Sequence, residues 1–239
     1  MARPDSVLVT CEHGGNHVPR RYRRLFEGQA PLLASHRGWD AGALLLAQRL
    51  AGELRAPLIA ARTTRLLVDL NRSPRHPALF SAITRGLGAA ERAELLARYY
   101  APYVESVASK VAAEIDAGRR VIHLSAHSFV PVLHGRRRRA DVGLLYDPQR
   151  AGERVLSIRW RAALLALAPG LTVRRNYPYR GTADGLTTAL RRRFAAARYV
   201  GIEVELNQAI ATDPRVRAAL ARSASVALQQ KVPGTNGTP

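Results

Sequence analysis

Two short apolar runs, far apart in the chain, each lead straight into a histidine, and this pairing constrains the fold more than any other feature. The first is Ser6-Val7-Leu8-Val9-Thr10-Cys11-Glu12-His13-Gly14-Gly15; the second is Val121-Ile122-His123-Leu124-Ser125-Ala126-His127-Ser128. Runs of this length and content read as buried strands. Around them the pattern switches to helical spacing. Asp40 to Leu54 carries Leu44, Leu45, Ala47, Leu50 and Ala51 at a 3.6-residue period, with Gly52 near its end. Leu58 to Ala61 and Leu66 to Leu70 read as short strands. Ala89 to Ile115 reads as a long amphipathic helix or helix pair, ended by Ala117-Gly118. Val142 to Tyr146, Leu171 to Arg174 and Tyr199 to Leu206 read as further strands. Glu153 to Leu167, Gly185 to Ala197 and Asp213 to Gln230 read as helices. This alternation predicts an α/β fold: a mostly parallel, mixed sheet with helices on both faces. Open sheets of that kind bind ligands at the carboxyl edge of their strands. Two histidines placed there are candidates to share one metal, since neutral imidazole is a frequent zinc ligand. The plainer alternative is two unrelated histidines in ordinary loops.

Composition narrows the field. A chain of 239 residues, 47% hydrophobic, is long enough for one large core. A single domain over residues 1–232 is expected, with a disordered Gly/Pro/Thr-rich tail at 233–239. No apolar run approaches the roughly 20 residues that span a bilayer, so no membrane partner is expected. The N-terminus lacks an apolar signal region, and a cytoplasmic location is expected. A single cysteine, Cys11, excludes an intramolecular disulfide and fits a reducing compartment. Zinc, if bound, must therefore use His, Asp or Glu. The net charge of +19 suggests a nucleic-acid partner at first sight. Lysine is nearly absent, however, with only Lys110 and Lys231, and arginine and alanine dominate as a GC-rich coding bias would produce. Aromatics interleaved with the basic runs are few, so a nucleic-acid partner is not the expected one. Only Arg136 to Arg139 forms an uninterrupted block of four, and the sequence offers no role for it.

Other candidates for chemistry sit near the ends of the expected strands. In Glu12-His13-Gly14-Gly15-Asn16-His17, the glycines allow a tight turn beside a ligand. Glu12 either orients His13 or faces solvent, and His17 reads as a loop residue or a substrate contact. In Gly38-Trp39-Asp40-Ala41-Gly42, Asp40 opens a helix, and its local reading is an N-cap. Arg65-Leu66-Leu67-Val68-Asp69-Leu70-Asn71-Arg72 brings an amide and a guanidinium together, and arginine suits a bidentate grip on a carboxylate. A charged turn is the alternative. In Ile202-Glu203-Val204-Glu205-Leu206-Asn207, period two puts both glutamates on one face of the last strand.

Taken in order, these segments resemble the N-formylglutamate amidohydrolase family, close to its deformylase-like branch. The resemblance runs from Val7 to about Ile210. It also rests on Val142-Gly143-Leu144-Leu145-Tyr146-Asp147, Asn176-Tyr177-Pro178-Tyr179 and Asn207-Gln208. It implies a phosphorylase/hydrolase-like, zinc carboxypeptidase-like fold, similar to the zinc carboxypeptidases and aspartoacylases. Those enzymes hold zinc with a histidine at a strand end, an acid at the start of the next helix and a histidine from a later strand. His13, Asp40 and His127 match those places, and Asp40 is thereby taken from cap to ligand. Relatives with a short His-x-x-Glu put the acid three residues on, where this chain has Asn16.

The resemblance implies one zinc ion per chain, with a fourth position left open to water. It gives Glu205, with Glu203 as fallback, the general base. Arg65 or Arg180 would stabilise the oxyanion. Asn71 and Arg72 would hold a substrate carboxylate, with Asn16 and Arg180 as further substrate contacts. The implied reaction cleaves N-formyl-L-glutamate to formate and glutamate. Two alternatives stay open: the same hydrolysis of another N-acyl amino acid or peptide-like amide, and a basic nucleic-acid-binding protein without catalysis. The sequence does not fix the oligomeric state.

Overall fold

The computed structural model describes residues 5–229. In chain order it contains β1 (Ser6–Cys11), α1 (Ala30–Ala34), α2 (Ala43–Leu54), β2 (Leu58–Ala60), α3 (Ala82–Arg85), α4 (Ala89–Leu95), α5 (Ala101–Asp116), β3 (Val121–Phe129), β4 (Val132–Leu133), β5 (Arg136–Arg137), β6 (Val142–Leu145), α6 (Ala151–Leu167), β7 (Val173–Arg175), α7 (Leu186–Arg193), β8 (Tyr199–Asn207) and α8 (Pro214–Gln229). A 3-10 turn, Arg20–Phe26, precedes α1, and a π turn, Leu96–Tyr100, joins α4 to α5 into one long rod. The expected tail at 233–239 and the end of the last helix at Gln230 lie outside the described residues.

Six strands form one sheet in the order β2-β1-β3-β8-β6-β7, parallel except where β6 meets β8. This is the mixed, mostly parallel α/β architecture that the alternating pattern predicts. Helices α2, α6 and α8 cover one face, where Leu46, Leu50, Trp160, Leu164 and Leu220 join the main core. Helices α5 and α7 cover the other through Val107, Val111, Leu186 and Leu190. Sandwiched this way, β3 and β8 are buried along their full lengths. Parallel strands so buried normally carry near-continuous apolar runs. Here they carry His123, Ser125, His127, Glu203 and Glu205 as well, all buried.

Three sequence expectations need correction. Leu66 to Leu70 is not a strand but a turn followed by irregular backbone. Its side chains serve two cores, Leu66 and Leu67 the small cluster under the 3-10 turn and Val68 and Leu70 the α5 face. Consecutive residues sent to two cores cannot alternate as a strand does. Strand β3 runs on past Ala126, because β8 pairs with it as far as Phe129–Asn207. Helix α2 starts at Ala43 and not at Asp40. Its N-cap is Gly42, at φ 82°, where a Cβ would lie 2.6 Å from that of Ala211. Asp40 therefore leaves the helix and points elsewhere. The chain does turn at Glu12 to Gly14, as the glycines allow, and Gly15 also permits a close approach: a Cβ there would sit 2.6 Å from the Arg62 carbonyl oxygen.

Candidate metal centre and pocket

His13 lies two residues beyond β1, and His127 lies within β3 near its carboxyl end. The loop that delays α2 brings Asp40 between them, anchored by its own N–H on the His13 carbonyl at 3.0 Å. All three side chains are nearly inaccessible. The two imidazoles converge on a single oxygen: Asp40 Oδ2 is 3.4 Å from His13 Nδ1 and 2.9 Å from His127 Nδ1. One donor atom from each residue fits within 4.8 Å of the others, a geometry able to enclose a metal ion.

The surroundings suit a cation. His13 Nε2 donates to Asp69 Oδ1 at 2.7 Å. His127 Nε2 faces Glu12 Oε2 at 3.1 Å and Ser125 Oγ at 2.9 Å. A carboxylate on the far nitrogen fixes the ring's tautomer and raises the basicity of the near one, as in metal-bound histidines. Arg65 bonds acids through all three guanidinium nitrogens, Nε and Nη2 to Asp69 Oδ2 (3.2 and 2.7 Å) and Nη1 to Asp40 Oδ1 (3.2 Å). Arg65 thus pairs with two of the three buried carboxylates around the histidines, Asp40 and Asp69, with Arg72 Nε 4.0 Å from Asp69, while Glu12 meets neither arginine, and the site is short of positive charge. The protonation equilibria express that deficit. Burial alone would make His127 harder to protonate, but Asp40 and Glu12 raise its pKa well above the usual value. Burial would raise Asp40, but His13, His127 and Arg65 hold it well below the usual carboxylate range. A divalent ion held there would supply the charge that the imidazoles otherwise draw from protons.

A cavity of about 200 Å³ opens over this cluster. Register pairs Glu205 of β8 with His127 and Glu203 with Ser125, so both glutamates line the cavity on the face that period two predicts. They differ in their bonds. Glu203 Oε1 accepts from Thr187 Oγ1. Glu205 Oε2 is buried with no hydrogen-bond partner among the described residues. Burial raises the Glu205 pKa to about 7, His127 opposing and Asp40 and Glu203 adding to the rise.

The remaining sequence candidates divide. Asn71, Arg72 and Arg180 line the cavity with Arg65. Asn71 Oδ1 accepts from Leu186 N at 2.7 Å, and its amide nitrogen lies 3.4 Å from His127 Nε2. Arg72 Nη1 donates to the Asp184 carbonyl at 3.0 Å, while its buried Nε lies 4.0 Å from Asp69 Oδ2 and has no hydrogen bond among the described residues. Arg65 lines the cavity wall and is tied to the cluster by three of its five N–H groups, which bond Asp40 and Asp69. Asn16 is not brought to the site: it is exposed and donates to the Leu33 carbonyl at 3.2 Å, because Gly15 packs on the Arg62 backbone and turns the chain away. His17 is exposed and pairs with Thr63. Glu12 orients neither His13 nor solvent; it is fully buried against His127. Arg136 and Arg137 form β5 and pair with Val132 and Leu133 of β4, and the Arg138 guanidinium lies 5.0 Å from the centre of the Tyr179 ring at the cavity wall. Sequence reasoning gave no role to Asp69, Ser125, Tyr179 or Asp184. Asp69 was the most accessible of these, since it sits inside the Asp-Leu-Asn-Arg run.

The N-formylglutamate amidohydrolase family model matches residues 5–211. A solved structure of an Agrobacterium tumefaciens gene product is 32% identical, with a TM-score of 0.77, over 93% of this chain and 89% of its own. The N-formylglutamate amidohydrolase of Ralstonia eutropha JMP134 is 21% identical, with a TM-score of 0.66, over 95% of this chain and 94% of its own, and shares the fold. Among curated proteins none matches the chain.

Proposed function

Because the chain belongs to the N-formylglutamate amidohydrolase family, we propose that this amidohydrolase uses one zinc ion, held by His13, Asp40 and His127, to cleave the N-acyl amide of a carboxylate-bearing amino acid. N-formyl-L-glutamate, giving formate and glutamate, is the first substrate to test. The family match sets aside the reading as a basic binding protein without catalysis. One observation carries the proposal: a three-residue donor set, short of positive charge, lies under the same cavity as a buried carboxylate with an unpartnered oxygen.

When bound, a zinc ion would lower the pKa of water and polarise the acyl carbonyl. The chain's own residues do the rest. Glu205 Oε2 takes a proton from the attacking water and later returns it to the leaving amine. Glu203, tied to Thr187, keeps Glu205 company as a second negative charge and is the weaker candidate for the base. Asn71 and Arg72 hold the substrate α-carboxylate. Arg180, with no hydrogen bond or ion pair from its side chain among the described residues, is available for a second anionic group or the developing oxyanion. We place all of this in one catalytic domain, working in the cytoplasm, where the lone thiol of Cys11 stays reduced.

The test is metal content together with steady-state hydrolysis. About one zinc per chain and turnover of N-formylglutamate above that of N-formyl amino acids with uncharged side chains support the reading. Metal-loaded protein that hydrolyses neither would overturn it.

A further inference from the structure

Of the three acids around the two histidines, Glu12, Asp40 and Asp69, Glu12 alone has no arginine or lysine ion pair among the described residues. Asp40 and Asp69 both meet Arg65. Glu12 is 0% exposed. Its partners are Tyr103 Oη, donating to Oε1 at 3.0 Å, Ser125 Oγ, donating to Oε2 at 2.6 Å, and His127 Nε2 at 3.1 Å. Tyr103 and Ser125 are neutral hydroxyls, as is Thr10, which also bonds the carboxylate. Among the described residues, the only partner able to bring positive charge is His127, either by taking a proton or by passing on the field of a cation at its other nitrogen.

The placement follows from strand geometry. Glu12 and His13 are neighbours on a chain leaving β1, so they point to opposite sides. Glu12 cannot support His13, a task that falls to Asp69. Two residues earlier, Thr10 pairs with Ser125 of β3. Continuing that register sets Glu12 beside His127, with Ser125 on the same face as His127.

We propose that Glu12 is a positioning residue for His127: it orients the imidazole from behind and supplies the uncompensated charge that favours a cation at Nδ1. This rests on the metal reading above. Carboxylates of this kind are worth roughly 10–100-fold in metal affinity. Tyr103 is the internal control, since it bonds the Glu12 oxygen facing away from the imidazole.

The experiment compares wild type, Glu12→Gln, Ser125→Ala and Tyr103→Phe. Each is stripped with a chelator, and its zinc dissociation constant is measured by competition with a chromophoric chelator. The thermal midpoint of each metal-free form is measured beside it. Glu12→Gln keeps the shape and an acceptor for His127 but removes the charge. It is expected to bind zinc about 10–100-fold more weakly, with its metal-free midpoint kept or raised. Tyr103→Phe is expected to stay within about threefold of wild type. A purely structural role predicts the reverse: a lowered midpoint and unchanged zinc affinity in Glu12→Gln, a result that overturns the proposal. If Glu12→Gln does not fold, Ser125→Ala decides, and its failure to weaken zinc binding also overturns it. A wild type that binds no zinc instead refutes the metal reading beneath it.

Discussion

His123 offers a quantitative test of the buried polar layer beneath the site. It lies on β3, four residues before His127, and is completely buried. Its Nε2 pairs with Thr10 Oγ1 of β1 at 2.8 Å and its Nδ1 with Tyr199 Oη of β8 at 2.7 Å, so it ties three strands together. Burial lowers its pKa from 6.5 to about 4, with Arg191 and His127 adding to the fall and Glu12 opposing it. The unfolded chain therefore takes up a proton near pH 6.5, while the folded protein refuses it until about pH 4. Stability from this group is complete above pH 6.5 and is lost as the pH falls from 6.5 to 4. At 1.36 kcal/mol per pKa unit, the shift amounts to about 2 kcal/mol lost by pH 5 and about 3 kcal/mol by pH 4. The assay is urea unfolding of chelator-treated wild type and His123→Gln at steps from pH 7.5 to 4, so that metal uptake adds nothing. His123→Gln starts less stable, having lost part of the crosslink. The gap between the two proteins should then narrow by roughly the same 2–3 kcal/mol as the pH falls. Parallel curves would show that His123 is not held neutral and would refute the reasoning.

Three further outcomes are expected. Glu205→Gln should bind zinc and fold, with its stability unchanged or raised because a buried unpaired charge is gone, yet lose about 10²–10⁴-fold in kcat; a large loss from Glu203→Gln instead would transfer the base to Glu203. Arg72→Ala should raise KM for N-formylglutamate far more than for the analogue whose α-carboxylate is an amide, and Arg72→Lys should recover little, since an ammonium lacks the planar fork; equal losses on the two substrates would make Arg72 structural. Gly42→Ala should cost more than about 1 kcal/mol in thermal or urea unfolding, since the site requires φ 82° and a Cβ there would lie 2.6 Å from that of Ala211; a neutral effect would mean that the loop delivering Asp40 is free to shift.

Much of the frame was legible because local signals agreed. The runs at Val7 and Val121 became β1 and β3, Ala89 to Ile115 became the α4–α5 rod, and the period-two reading of Glu203 and Glu205 placed both on one cavity face. The short elements were not legible. The 3-10 turn, α1, α3 and the β4–β5 hairpin carry too few residues for a period to show. Leu66 to Leu70 misled because a continuous apolar run looks the same whether it fills one core as a strand or two cores as a turn.

The sequence by itself determined the chemistry on offer: histidines at the ends of two buried runs, acids and arginines in short motifs, and one cysteine that leaves any metal to His, Asp and Glu. Only the tertiary structure decided which of these groups meet. Local sequence reads Asp40 as a helix cap; a left-handed Gly42 pressed on Ala211 removes it from the helix and sets it between two imidazoles. Glu12 adjoins His13 in the chain, yet strand alternation turns it toward His127, while Asp69 arrives from a distant loop to hold His13. Asn16, close to His13 in sequence, is carried outside by the packing of Gly15 on Arg62. The physical reason is common to all of them. Period and propensity act over a few residues, but the direction of a side chain at a strand end or in a loop is set by contacts from elsewhere in the chain.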